Sequence, residues 1–203
     1  MISKPRFENR KSCDLENRRS LYSRAFNAVS RLLRLCLALL LGLLLGASFL
    51  WPGNLLPALL SWLFAFLLWT CFRLGHELRS LELLIMGIVA HVLGFHWLAR
   101  TISTFSGLSW TTSSLATLAL FVLLSLQFVL FGFLLKGLRF GLLTKWYLDL
   151  PLAWVALEVI FPKLSPWELA NSQIIFPVFA QSASLLGVVF VSFLMMWWSG
   201  LAL

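Results

Sequence analysis

Residues 94–109 read GFHWLARTISTFSGLS. They hold a histidine, a tryptophan, an arginine and five hydroxyl residues, and they separate an apolar run that ends at Leu98 from one that begins at Leu115. The headgroup layer of a bilayer accommodates such a stretch. Amphipathic rings and the head of an arginine settle there, while the apolar runs on either side occupy the hydrocarbon. Reading it this way makes the flanking runs membrane spans instead of helices of a soluble core.

Composition agrees. The 203 residues are 60% hydrophobic and 12% charged, with a mean hydropathy of +0.90, whereas a soluble domain carries about 25% charged residues. The chain is therefore expected to be an integral membrane protein. A net charge of +8 would suggest a nucleic-acid partner if it lay on a soluble face. Here the basic residues collect in short segments between apolar runs, so they report topology, and no nucleic acid is expected. The runs are continuous and not alternating, which excludes a β-barrel.

A span needs about 20 mainly apolar residues. Six runs reach or approach that length: 35–51, closed by the turn signal Pro52-Gly53-Asn54; 55–72; 81–98; 115–135, with Gln127; 146–161, with Asp149 and Glu158; and 174–203. Residues 1–34 are expected to be a basic cytoplasmic tail, with 20–34 suited to an interfacial amphipathic helix; residues 35–203 form the transmembrane bundle. With the N-terminus inside, the cytoplasmic side holds nine basic residues in the tail, Arg73 and Arg79, and Lys136, Arg139 and Lys145, fourteen of the sixteen. Only Arg100 and Lys163 remain outside. The predicted architecture is all-α: a polytopic membrane helical bundle of about six transmembrane helices, both termini cytoplasmic, with residues 94–109 at the outer face. The first run outlasts a signal peptide's apolar core and lacks a cleavage site, so the N-terminus is expected to be retained. No internal repeat or inverted pair of broken helices is legible, which argues against a secondary transporter.

Candidate chemistry is sparse. Cys13, Cys36 and Cys71 have no metal-ligand spacing, and His91 and His96, five apart, point in different directions around a helix, so neither a metal nor a cofactor is expected. His96 beside Trp97 reads as an interfacial anchor, and Gly87 and Gly94 share a face where a neighbouring helix can approach. Glu158 is either a structural anchor or a functional carboxylate. Gln127 and Gln181 read as interhelical hydrogen-bonding residues. Arg100, among Thr101, Ser103, Thr104, Ser106 and Ser109, either cradles a lipid phosphate or snorkels to headgroups. No Ser/His/Asp or Cys/His set can be assembled, so no catalytic residue is assigned.

The order of motifs over residues 35–203 resembles the membrane-embedded N-terminal part of the apolipoprotein N-acyltransferase family. The stretches that carry it are FLWPGNLLPALLSWL, GIVAHVLGFHWLARTISTFSGLS, PLAWVALEVIF, SPWELANSQ and LLGVVFVSFLMMWWSGL. The chain departs from the family in having Val159 to Lys163 where an Arg and a Gly are usual, Ser106-Gly107 where two glycines are common, and His96 in place of an aliphatic or aromatic neighbour. The resemblance implies a bacterial inner-membrane protein that takes part in lipoprotein maturation. There an acyl chain passes from a phospholipid to the N-terminal amine of a diacylglyceryl-cysteine lipoprotein. In the family this proceeds through a thioester in a nitrilase-like domain bearing a Glu, a Lys and a Cys, which no residue of this chain matches. The chain is thus expected to be either a fragment of a longer protein or a truncated relative that needs a separate nitrilase-like domain, and to be inactive alone. The alternative is a non-catalytic lipid- or lipoprotein-binding membrane protein. By position, Trp97, Thr104, Phe105, Gly107, Trp154, Glu158, Pro166, Trp167, Ser172 and Gln173 match the family, and with Arg100 they are the candidates for lining an outer lipid cavity.

Overall fold

The computed structural model describes residues 29–50, 53–74, 78–141, 146–161 and 168–202. The chain divides into two compact units, Met1–Cys36 and Leu37–Leu203. The first contributes residues 29–36, the opening turns of helix α1 (Val29–Ala47); the rest of the basic tail lies outside the described residues, as do residues 162–167 with Pro166 and Trp167.

The second unit continues with α2 (Leu55–Arg73), α3 (Ser80–Gly94), α4 (Leu98–Ser106), α5 (Trp110–Gly141), α6 (Trp146–Ile160), a 3₁₀ turn (Leu169–Gln173), α7 (Pro177–Leu186) and α8 (Val188–Leu201). The protein is a helical membrane bundle, without strands among the described residues. Among the described residues, helices α1, α2 and α5 are each long and apolar enough to cross a membrane, and the candidate spans number up to five if the bent pairs α3/α4 and α7/α8 each count as one.

Two of the expected straight runs are therefore broken. The α3/α4 pair bends by 65° and the α7/α8 pair by 119°. The second break has a local cause: Gly187 adopts φ 85°, ψ 165°, a region open in practice only to glycine. The run 174–203 was also too long for one crossing, since 30 residues of helix would measure about 45 Å against a hydrocarbon core of about 30 Å. By contrast, α5 extends beyond 115–135 at both ends to 32 residues, because nothing in its flanks breaks a helix. Ser109 precedes it, with its Oγ accepting from the Thr112 N–H at 3.3 Å, as an N-cap does. The fifth expected span, 146–161, is α6, 15 residues or about 22 Å.

Hydrocarbon is as apolar as a leucine-rich core, so close backbone approach and polar bonds carry much of the packing. On α1, Gly42-x-x-x-Gly46 lies against α3. A Cβ on Gly42 would sit 2.6 Å from the Met86 carbonyl oxygen, and one on Gly46 would sit 2.8 Å from that of Ala90. Gly87 faces α5, where a Cβ would meet Phe128 at 2.5 Å, while Gly94 faces Gly46 of α1. One face of α3 thus serves two neighbours. Trp154 of α6 is the centre of an aromatic core, with Phe64 at 5.5 Å, Phe131 at 5.6 Å and Phe128 at 6.2 Å between ring centroids. Large apolar side chains such as Leu59, Leu63, Leu115 and Leu123 are exposed and face lipid.

Candidate functional site

The candidate residues fall into two groups. The first lies on α4. This short helix packs on α5, with Leu98 and Ile102 half-buried and Trp97, Arg100 and Thr104 exposed. Spacings of three and four residues put those exposed positions on one helical face. Phe105 follows at 87% exposure, and Leu108 and Trp110 extend the patch beyond Gly107, which ends the helix in the left-handed conformation at φ 69°, ψ 8°. The surface therefore combines a guanidinium with aromatic rings, the composition of a headgroup-level surface.

The hydroxyls around Arg100 are turned onto backbone. Thr104 Oγ1 donates to the Arg100 carbonyl at 2.9 Å, Ser106 Oγ to that of Ile102 at 2.6 Å, and Ser103 Oγ to that of Leu108 at 3.1 Å. Thr101 Oγ1 donates to the Trp97 carbonyl at 3.3 Å. Their protons are committed to the fold, which leaves the Arg100 side chain as the principal cation that this face can offer an anionic group.

The second group is buried. Glu158, 8% exposed, accepts at Oε1 from the Trp154 indole N–H and from the Leu169 backbone N–H, both at 2.8 Å. The first bond spans one turn of α6. The second joins α6 to the 3₁₀ turn, eleven residues on. Ser172 and Gln173 leave that turn toward α2: Gln173 Oε1 accepts from the Trp62 indole N–H at 2.9 Å, and its Nε2 donates to Ser61 Oγ at 2.8 Å. Ser172 Oγ stands 2.8 Å from Ser61 Oγ, and the Ala170 N–H donates to Ser192 of α8 at 3.1 Å. A five-residue turn is thereby tied to three helices. Trp62, Ser61 and Ser192 were not singled out by sequence, and Gln181, expected as an interhelical residue, is exposed on α7. A Gln173→Leu substitution is expected to lower stability by about 2 kcal/mol through the stranded indole and hydroxyl. Thermal denaturation in detergent should show this, with Gln181→Leu within about 0.5 kcal/mol of the parent.

Between α1, α3, α5 and α6 lies a part-open cavity of about 60 Å³ whose lining includes Glu158 and Trp154 together with His91 and Gln127. His91 Nδ1 lies 2.8 Å from the Gly87 carbonyl oxygen and 3.2 Å from Ser125 Oγ; a carbonyl can only accept, so Nδ1 is the donor to Gly87. Its ring packs among Phe95, Phe121 and Phe128 at centroid distances of 5.8 to 6.2 Å. His96, in contrast, is exposed, with Nδ1 3.1 Å from the Leu93 carbonyl.

Two wider apolar grooves flank α7. One of about 520 Å³ is lined by Trp62, Phe179, Leu194, Trp197 and Trp198; the other, about 330 Å³, includes Phe179, Val188 and Gln173. Trp97, Arg100, Thr104, Phe105 and Gly107 therefore form an exposed rim, while Trp154, Glu158, Ser172 and Gln173 are interior. Trp167 lies outside the described residues.

Comparison with known proteins follows the same span of chain. The family model described as the apolipoprotein N-acyltransferase N-terminal domain matches residues 41–201, most of the bundle. No curated protein and no solved structure matches the chain.

Proposed function

Because the chain belongs to the apolipoprotein N-acyltransferase N-terminal domain family, we propose that it is the membrane part of a lipoprotein N-acyltransferase system in a bacterial inner membrane. In this reading the bundle holds a phospholipid and the lipid-modified N-terminus of a lipoprotein. The α4 rim supplies Arg100 for the phosphate, Trp97 and Phe105 anchor at headgroup depth, and the apolar grooves beside α7 take acyl chains. The observation that carries the reading is the family match across the bundle, including both α4 and the α7 grooves. Trp154, Glu158, Ser172 and Gln173 support the site from inside by fixing the 3₁₀ turn against α2 and α6.

Acyl transfer itself is assigned to a nitrilase-like domain beyond these 203 residues. Within them, Cys36 and Cys71 lie on the apolar helices α1 and α2, where no base or oxyanion donor set accompanies either among the described residues. The full 203-residue chain, purified and mixed with phospholipid and a diacylated lipopeptide, is expected to give no N-acylated product by mass spectrometry. Formation of that product would overturn the assignment of catalysis elsewhere.

Binding is tested separately. A Thr104→Cys variant in nanodiscs should react with a membrane-impermeant maleimide, and a diacylated lipopeptide should slow that reaction. Adding Arg100→Ala is expected to weaken the protection about fivefold, the equivalent of about 1 kcal/mol for one basic residue at a charged lipid surface. Labelling that ignores the lipopeptide would exclude the rim as its site.

A further inference from the structure

We propose that the part-open cavity between α1, α3, α5 and α6 binds the free hydroxyl of an acylglycerol, with His91 and Gln127 as the recognition pair. The two side chains line it from different helices, His91 from α3 and Gln127 from α5. His91 is 8% exposed, and its Nδ1 is engaged by the Gly87 carbonyl and Ser125. Among the described residues no ion pair reaches this ring, and neither its Nε2 nor the Gln127 amide has a hydrogen-bond partner. An unpaired ion buried against phenyl rings is costly, so the imidazole is neutral and Nε2 presents a lone pair. The Gly87 bond and the rings of Phe121 and Phe128, at centroid distances of 5.9 and 6.2 Å, fix the imidazole before any ligand arrives. Little ordering cost therefore falls on binding.

The pair sets the chemistry of the ligand. Nε2 can only accept, so the ligand must bring a donor, while the Gln127 amide can give an N–H to an oxygen. Both groups are neutral, and an ionised ligand would give up hydration for them without a compensating charge. An alcohol is the matched partner. Leu45, Phe49, Phe95, Phe128 and Leu157 supply apolar wall around the pair. A buried water makes about three hydrogen bonds, which phenyl and leucyl walls do not offer, whereas an amphiphile sets its hydrocarbon against them. An acylglycerol with a free hydroxyl brings an O–H for His91, a neighbouring ester or hydroxyl oxygen for Gln127, and an apolar body. That chemistry is shared by a neutral monoacylglycerol and by a lysophospholipid.

The test uses the full chain with His76→Gln and His96→Gln, so that His91 is the one remaining histidine, labelled with ¹⁵N. The protein is held in lauryldimethylamine oxide, a detergent without hydroxyls. Titration with monolauroylglycerol is expected to move the Nε2 resonance upfield and to saturate, as a bare acceptor nitrogen does on accepting a hydrogen bond. The same lipid with both hydroxyls methylated is expected to leave it in place, an arm that needs no further substitution. Gln127→Met, at a half-buried position, is expected to weaken binding about fivefold, the worth of one neutral hydrogen bond, with thermal melting close to the parent. Lysophosphatidylcholine moving the resonance equally assigns a phospholipid-derived hydroxyl as a source; movement by monolauroylglycerol alone assigns a neutral acylglycerol. A resonance that does not move, that moves equally with the methylated lipid, or that belongs to a protonated Nε2 from the outset would overturn the proposal. So would unchanged affinity in a Gln127→Met variant that melts like the parent. None of these readouts involves lipopeptide or acyl transfer, so failure here leaves the acyltransferase reading standing.

Discussion

A Gly42→Leu variant is expected to lose about 3 kcal/mol of stability or fail to assemble, the upper range for overpacking. The first added carbon would lie 2.6 Å from the Met86 carbonyl oxygen and 2.9 Å from Val89 Cβ. The obstacle is backbone of α3, which cannot swing aside as a side chain would. Relief requires α1 to retreat along the whole Gly42-x-x-x-Gly46 seam, which also opens the contact of Gly46 with Ala90 and Gly94. In lipid, nothing apolar is gained by closing the gap again, so lost van der Waals contact is not recovered. Thermal melting in detergent, followed by tryptophan fluorescence, measures the loss. Gly137→Leu, where an added carbon meets nothing within 4 Å, is the matched control and should change stability by less than about 0.5 kcal/mol. Equal melting of the two variants would show that the seam does not hold the helices together.

Glu158→Leu is expected to cost about 4 kcal/mol, since a carboxylate that accepts two hydrogen bonds is replaced by a side chain that accepts none. The Trp154 indole and the Leu169 amide are left without their acceptor inside the bundle, and the 3₁₀ turn loses its bond to α6. Glu158→Gln retains an acceptor oxygen and should cost about 1 kcal/mol, the difference between charged and neutral bonds. Hydrogen exchange at the Leu169 amide separates the cases: fast in Glu158→Leu, slow in Glu158→Gln. A slow amide in the leucine variant would mean that the turn is fixed from α2 and α8 alone.

Much of the helical architecture was legible because apolar run length is a direct consequence of bilayer thickness. Gly53 and Asn54 mark the start of α2 as expected, with Gly53 at φ 88°. What was not legible is which face of each helix looks inward, because lipid and core are equally apolar and the usual polar–apolar periodicity disappears. The readable signal lies in small residues, and Gly42-x-x-x-Gly46 is such a signal, lying against α3. The break at Gly187 was readable in principle from a run too long for one crossing. The bonds from Glu158 to Leu169 and from Gln173 to Trp62 were not, since they join residues 11 and 111 apart through tertiary contact alone. Trp154, Glu158, Ser172 and Gln173 were legible as notable residues, but not that Trp154 Nε1, Glu158 Oε1, Ser172 Oγ and the Gln173 amide bond within the protein.

The sharp turn at Gly187 bears on how the chain is built. Helix α8 has 14 residues, about 21 Å, short of a hydrocarbon core of about 30 Å. It is held instead by named partners: the Trp69 indole donates to the Met196 carbonyl, and Gly200 lies against the same ring. An insertion machinery that judges segments one at a time would find α8 a poor candidate by itself. Its place depends on a receptor formed earlier in synthesis, so biogenesis is ordered, with α2 and α6 in position before α8 docks. Helix α8 enters the membrane as a guest of the part already folded.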